Sequence, residues 1–137
     1  MRISLFAPVI SPINDAGYLR ALARGAEERG FHGIWLGEHV VLFDQYEAQY
    51  PYQDDGRIPV GVENGLLEPI TALSYMAAVT ERIRLGTGIC LVPQRNPVYT
   101  AKEIAAVDYL SGGHVDFGVG VGWLKEEFDA LGVPFER

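Results

Sequence analysis

The chain has 137 residues, of which 48% are hydrophobic and 21% are charged, and its formal net charge is −7 at pH 7. This length and apolar content predict a folded domain with a buried core and exclude a disordered chain. Acidic residues are in excess and the basic ones are scattered, so no positive face forms for nucleic acid or an anionic membrane. We therefore expect neither partner.

The first apolar run, Ile3–Ile10, is too short to cross a bilayer and lacks the small-residue cleavage pattern of a signal peptide. It predicts a buried strand. The single cysteine, Cys90, excludes an internal disulfide and a cysteine-rich metal centre, so no metal site is expected and a reducing, cytoplasmic location is favoured. With no basic group beside it, Cys90 is interpreted as a small buried residue and not as a nucleophile.

A β-prone run followed by a helical pattern occurs four times, which is typical of parallel strands joined by crossover helices. The first strand spans Ile3–Ala7, and Asn14 or Asp15 can cap the helix that ends at Gly30. The second strand spans Gly33–Gly37. Apolar residues recur on one face of the first helix: Tyr18, Leu19, Leu22, Ala23 and Ala26.

Residues 38–67 form a long segment rich in aromatic, proline and acidic residues, without a sustained period. A connection of this length is unusual between a strand and a helix and predicts a functional loop or lid. Pro69 suits the first turn of the next helix, whose inward stripe includes Ile70, Leu73 and Ala77. The third strand is predicted over Ile83–Gly88.

Asn96 and Pro97 predict the start of a third helix that continues to Leu110 and ends at Gly112–Gly113. We expect the fourth strand over His114–Val119. A short amphipathic helix then ends at Gly132. The inward residues predicted for these two helices are Val98, Ala101, Ile104 and Ala105 in the first, and Leu124, Phe128 and Leu131 in the second.

Four strand–helix units are half of the eight that close a (β/α)₈ TIM barrel of about 250 residues. We therefore expect residues 1–137 to form the N-terminal half of an α/β barrel domain. A flavodoxin-like open sheet is the alternative. It is less favoured because its phosphate loop follows the first strand, where residues 8–14 contain no glycine.

Ligand sites of parallel α/β folds lie at the carboxyl ends of the strands. Three separated segments should therefore converge on one site: Glu38 and His39 after the second strand, Thr87, Gly88 and Ile89 after the third, and Gly120, Val121, Gly122 and Trp123 after the fourth. The alternate glycines at 118, 120 and 122 leave room for a ring or a phosphate to approach the backbone, although such a run also occurs in ordinary tight turns.

Five motifs, taken together, resemble the luciferase-like monooxygenase superfamily, and within it the predicted oxidoreductases that use the deazaflavin coenzyme F420. The motifs span nearly the whole chain: Trp35–His39, Glu81–Gly88, Pro93–Pro97, Leu110–Gly113 and Gly118–Trp123. The resemblance implies a TIM barrel, a redox reaction on a small organic substrate and a cofactor ring lying across the strand ends.

By this resemblance, Gly88–Ile89 forms a bulge behind the cofactor ring, where the family often has a non-proline cis peptide. His39 matches a histidine near the ring, and histidine is the side chain best suited to exchange protons near neutral pH. Glu38 is expected to orient His39 or to reach the substrate. Thr87, Gly120, Val121, Gly122 and Trp123 complete the predicted cofactor contacts.

Val121 occupies the position of a phosphate-binding arginine in the flavin luciferases, which favours coenzyme F420 over FMN. Two alternatives stay open: an FMN-dependent monooxygenase that uses dioxygen, and a non-catalytic half-barrel that associates with itself. Exposed sheet edges predict either a homodimer or completion by a second half-barrel.

Overall fold

The computed structural model describes residues 1–135 as alternating strands and helices. Four strands form one parallel sheet, in which the neighbours are, from one edge to the other, β1 (Ser4–Phe6), β2 (Gly33–Leu36), β3 (Arg84–Thr87) and β5 (Val115–Asp116). Two shorter strands, β4 (Cys90–Leu91) and β6 (Val119–Gly120), form a second parallel pair. The predicted parallel α/β architecture is confirmed.

Four helices lie between and after the strands: α1 (Ala16–Glu28), α2 (Pro69–Ala77), α3 (Pro97–Ser111) and α4 (Lys125–Leu131). Their starts follow the local capping chemistry. The Asp15 side chain accepts a hydrogen bond from the Tyr18 N–H, and Asn96 accepts from the N–H groups of Val98 and Tyr99. Gly112 ends α3 in the left-handed conformation, with φ of 75°.

The predicted fourth strand is divided in the structure into β5 and β6, with a break at Phe117–Gly118. β5 pairs with β3, whereas β6 pairs with β4. The break brings the Gly118 backbone against the end of β3, where the Thr87 hydroxyl donates a hydrogen bond of 2.7 Å to the Gly118 carbonyl. A Cβ at Gly118 would overlap the Thr87 carbonyl, so the close approach requires glycine.

The core lies between the helix-facing side of the sheet and α1 and α2. Ile34, Leu36 and Leu85 point from the strands toward these helices and are fully buried. Because side chains alternate along a strand, Phe6 and Trp35 point to the opposite face. The inward residues predicted for α1 and α2 are buried or packed against this core, as expected: Tyr18, Leu19, Leu22, Ala23, Ala26, Ile70, Leu73 and Ala77.

The inward face predicted for α3 is wrong. Val98 is 77% exposed, Ala101 and Ala105 are also exposed, and the helix instead buries Thr100 and Val107. α3 has apolar residues around most of its circumference, so its periodicity does not choose a face. Its packing against β5 and α2 makes that choice.

Residues 37–68 contain no helix or strand, in agreement with the predicted long loop, and only Leu66 forms an isolated bridge, with Ile10. The bridge ties the end of this loop to the segment after β1. No helix within residues 1–135 has the length and apolar character needed to span a membrane.

Candidate functional site

The segments that follow β1, β2, β3 and β6 border one cavity of about 640 Å³. This volume is in the range of small-molecule sites, roughly 300–1,000 Å³. The cavity is lined by eight of the nine residues predicted for the site, namely Glu38, His39, Gly88, Ile89, Gly120, Val121, Gly122 and Trp123. Their predicted spatial convergence is therefore confirmed, whereas their chemical roles stay predictions.

Thr87 differs from the prediction of a cofactor contact. It is fully buried, does not line the cavity and uses its hydroxyl to hold the Gly118 carbonyl. Side-chain direction alternates along β3, so a residue at the end of the strand can point away from the site that its neighbours line. Thr87 positions the break between β5 and β6.

The cavity wall is mostly apolar and depends on glycines. The Phe6 ring lies close over Gly37 and Gly88. A Cβ added at these two positions would be only 3.2 and 3.3 Å from the ring. Ile89 lies over Gly120, where a Cβ would overlap the Ile89 side chain. The Gly88–Ile89 peptide bond is cis, as the family resemblance implies.

His39 lies on this wall and contacts a carboxylate from α4. Its Nδ1 is 3.2 Å from Oε2 of Glu127, a side chain that is almost fully buried. The His39 and Trp123 rings also pack in a T-shaped arrangement, with the ring centroids 6.0 Å apart. The histidine is thus held between an acidic and an aromatic residue at the end of β2.

The Glu127 carboxylate is hydrogen-bonded by two segments, residues 39–41 after β2 and the short 3₁₀ helix Val92–Gln94. Oε1 accepts from the N–H groups of Val40 and Val41 at 2.6 and 3.1 Å, and Oε2 accepts from Gln94 Nε2 at 3.2 Å as well as facing His39. Burial by itself raises the pKa of Glu127, but the hydrogen bonds from His39, Val41 and Gln94 outweigh burial. The pKa of Glu127 is lowered, and the side chain is ionised at neutral pH.

Glu38 does not orient His39, contrary to one of the two roles predicted for it. Its Oε2 accepts a hydrogen bond of 2.6 Å from the Leu91 N–H, and its Oε1 accepts from Arg95, with Nε at 2.9 Å. Arg95 also pairs with Glu68 at the start of α2. Burial disfavours charge on Arg95, but the two carboxylates outweigh burial and raise the pKa of Arg95. Glu38 therefore joins β2 to β4 and α2.

Cys90 is buried next to this network, as predicted. Burial and the nearby Glu38 carboxylate raise the pKa of the Cys90 thiol to about 11. A thiol with such a pKa is protonated at neutral pH and is a poor nucleophile. Within residues 1–135, no group of three or more His, Cys, Asp or Glu side chains is arranged to hold a metal ion.

Trp123 separates the cavity from a larger and more open groove of about 1240 Å³. The groove is bordered by residues 45–49, Pro51, Arg57 and α4, and it contains neither His39 nor the Gly88–Ile89 peptide. Tyr46 and Tyr50 pack against Trp123 with centroid distances of 5.8 and 5.3 Å. The long loop thereby closes one side of the cavity with aromatic rings.

The family model for luciferase-like monooxygenases matches residues 1–137. The chain belongs to this family. Rv0953c, an uncharacterised protein of Mycobacterium tuberculosis (strain ATCC 25618 / H37Rv), is 39% identical over 114 residues, which cover 83% of this chain and 40% of that protein. The resemblance predicted from the sequence motifs is confirmed.

Two solved structures share the fold over 98% of the chain. Monooxygenase RslO1 from Streptomyces bottropensis is 31% identical, with a TM-score of 0.67 and 36% of its chain covered. The coenzyme F420 dependent tetrahydromethanopterin reductase from Methanopyrus kandleri is 28% identical, with a TM-score of 0.63 and 30% covered. The chain thus spans 40% or less of the length of these relatives, in agreement with the first units of a (β/α)₈ barrel.

The cavity of this luciferase-like chain fits the ring of a flavin or deazaflavin better than the phosphate groups of such a cofactor. Phe6, Ile89 and Trp123 provide apolar surfaces around glycine backbone. However, no Lys or Arg lines the cavity among the described residues. The first turn of α4, which follows these glycines, carries the acidic residues Glu126 and Glu127.

Two charged residues at this luciferase-like site, Glu127 and Arg95, are not among those predicted from the sequence. Glu127 is three residues after Leu124 and four before Leu131, so it lies on the apolar stripe of α4, which is unusual for a solvated carboxylate. The position of Glu127 on this stripe therefore indicates a buried carboxylate from the sequence alone. Arg95 lies in a short irregular segment, and nothing in its sequence neighbourhood indicates its pairing with Glu38.

Proposed function

We propose that this chain forms the cofactor-ring side of an oxidoreductase that transfers hydride between coenzyme F420 and a small organic substrate. The observation that carries the proposal is the position of His39 on the wall of an apolar, glycine-lined cavity at the strand ends. A deazaflavin bound there would supply the hydride donor or acceptor. The chain would supply the cavity and a group that exchanges protons.

In this proposal each part of the wall has a separate task. Ile89 and the backbone of Gly88 support one face of the ring, and Phe6 borders the same apolar surface. Trp123 and the aromatic residues of the long loop exclude water from one side. His39 gives or takes the proton that balances the charge change of the substrate.

Coenzyme F420 is proposed ahead of FMN for two reasons. One structural relative, 28% identical, is named as an F420 dependent reductase. In addition, Val121 places an exposed apolar side chain, and no positive charge, on the cavity wall, at the position where the family resemblance implies a phosphate-binding arginine in the flavin luciferases.

A titration of the purified protein with coenzyme F420 and with FMN, followed by absorbance and fluorescence, tests this proposal. We expect saturable binding of coenzyme F420. The Gly120→Val variant should abolish it, because the new side chain overlaps Ile89 on the cavity wall. Ala101→Val, a change at an exposed position of α3, is the matched control and should bind normally. Saturable binding of FMN alone would reject the cofactor assignment.

The second candidate function is an FMN-dependent monooxygenase that uses dioxygen. The 31% identity to the monooxygenase RslO1 favours it. Oxygen uptake by the protein with FMN and an added flavin reductase distinguishes the two candidates, because the proposed hydride transfer consumes no oxygen. Uptake above that of the reductase alone would support the monooxygenase.

A further inference from the structure

Glu127 is a buried carboxylate that the proposed hydride transfer does not itself require. It lies on α4, yet its hydrogen-bond donors come from the segment after β2 and from the short 3₁₀ helix Val92–Gln94. The contact joins segments that are distant in sequence, since 88 residues separate Glu127 from His39. Such a carboxylate fixes the geometry of the groups around it.

We propose that Glu127 is a positioning residue that holds His39 in the tautomer with hydrogen on Nδ1. Nε2 is then the ring nitrogen with a free lone pair, which can exchange a proton with a molecule in the cavity. The use of that proton depends on the proposed function. The tautomer itself does not, because it follows from contacts within the chain.

The chemistry of the contact determines the tautomer. An ionised carboxylate only accepts hydrogen bonds, so a ring nitrogen 3.2 Å from Glu127 Oε2 must carry the hydrogen. Glu127 is ionised at neutral pH because its hydrogen bonds lower its pKa. Neutral histidine has one N–H, so placing it on Nδ1 leaves Nε2 unprotonated.

The two oxygens of Glu127 hold different parts of the chain around His39. Oε1 binds the N–H groups of Val40 and Val41, which fixes the backbone directly after the histidine. Oε2 faces the ring itself. The backbone and the ring of His39 are therefore held by the same side chain, which limits rotation of the imidazole.

Other charged groups near His39 are already engaged. The preceding residue, Glu38, binds Arg95 and the Leu91 N–H, and Arg95 is shared with Glu68. Trp123 packs against the ring in a T-shaped arrangement and carries no charge. Glu127 is therefore the described carboxylate that acts on the His39 tautomer.

Long-range ¹H–¹⁵N NMR spectra of the ¹⁵N-labelled chain test the inference without any ligand. The sequence has three histidines, and His39→Gln identifies the His39 signals by their loss. The spectra are recorded at the alkaline end of the pH titration of these signals, where the ring is neutral, and we expect the wild type to show a protonated Nδ1 and an unprotonated Nε2 for His39. The opposite tautomer in the wild type would overturn the proposal by itself.

Glu127→Gln is the informative variant because it keeps the size of the side chain and one carbonyl oxygen for Val40 and Val41. Its new amide donates to Nδ1, so we expect the hydrogen to move to Nε2 and the two ¹⁵N signals to exchange regions. Gln94 can accept from the same amide, since its Oε1 has no partner among the described residues. An unchanged His39 tautomer in this variant would also reject the proposal.

Two further variants separate positioning from folding. Glu126→Gln changes the adjacent carboxylate, which binds the Glu47 N–H and not His39, and should leave the His39 signals unchanged. Glu127→Asp retains the acceptor and should keep the wild-type tautomer. Because these spectra need no cofactor, an expected tautomer together with absent cofactor binding would reject the proposed function alone.

Discussion

The chain up to Leu85, the first region, and the chain after it, the second region, differ in how well they bury their apolar residues. Every member of the buried core cluster lies between Ala7 and Leu85. In the second region, Val98, Tyr109 and Leu110 of α3 and Val119 of β6 are more than half exposed. The difference shows that apolar content alone does not make a core. A helix or strand buries its apolar residues only where neighbouring elements cover them.

Polar contacts join the two regions where the apolar core does not. Arg95 reaches back to Glu38, and Glu127 reaches back to His39, Val40 and Val41. Both contacts lie beside the candidate cavity. The site is therefore built at the boundary between the densely packed and the loosely packed part of the chain.

The largest expected effect comes from a pair of matched leucines. Leu73→Ala, at a position 1% exposed in the core, should lower the free energy of unfolding by about 2–5 kcal/mol. Leu110→Ala, at a position 78% exposed on α3, should change it by less than about 0.5 kcal/mol. Urea denaturation measures both. Equal losses would show that another surface covers α3 in solution.

A smaller loss in the free energy of unfolding is expected when a carboxylate that binds backbone N–H groups before β3 or at β5 is removed. Oε1 of Glu27 accepts hydrogen bonds from the N–H groups of residues 81, 82 and 83, at 2.6–3.0 Å. Glu27→Ala should cost about 1–3 kcal/mol. Among the described residues, the Asp108 side chain accepts one hydrogen bond, of 3.1 Å, from the Val115 N–H, so Asp108→Ala should cost about 0.5–1.5 kcal/mol.

Glu28→Ala, at an exposed position beside Glu27, is the control for both variants and should be neutral in the same urea experiment. A greater loss in the free energy of unfolding for Asp108→Ala than for Glu27→Ala would contradict the conclusion that the first region is the more stable one.

The loss of a helix cap should promote global unfolding in the first region and local unfolding in the second. Asp15→Ala and Asn96→Ala each remove a capping acceptor, worth about 1 kcal/mol. Because α1 packs on the core, the Asp15 loss should appear in global unfolding. Because α3 buries few side chains, the Asn96 loss should appear first as faster amide hydrogen exchange within α3. Uniform exchange changes in both variants would argue against two regions.

The smallest expected effect is on the pH dependence of the free energy of unfolding, and it comes from Glu127 at the boundary between the regions. The pKa of Glu127 is lowered in the folded chain, so its contribution to stability is present above the unfolded pKa, about 4.3. That contribution is lost as the pH falls through the folded value. Wild type should therefore lose more stability than Glu127→Gln between about pH 5 and pH 3 in urea denaturation. If the free energy of unfolding changed equally with pH in the two proteins, folding would not favour the ionised form of Glu127.

The sequence alone predicted much of the local structure of this family member. Pro69, Asn96 and Pro97 identified helix starts, and Gly112 identified a helix end, because capping depends on residues within one turn. The site glycines and His39 were also predictable, since they follow strands whose carboxyl ends must meet at one edge.

The sequence by itself therefore determined the order of the strands and helices, most helix boundaries and the edge of the sheet where the site lies. Only the tertiary structure decided which face of α3 is buried, that Thr87 points away from the cavity, and that Glu127 and not Glu38 accompanies His39. Capping and strand periodicity are short-range effects that a sequence window contains. Side-chain partners 88 residues apart are chosen by the packing of the whole chain.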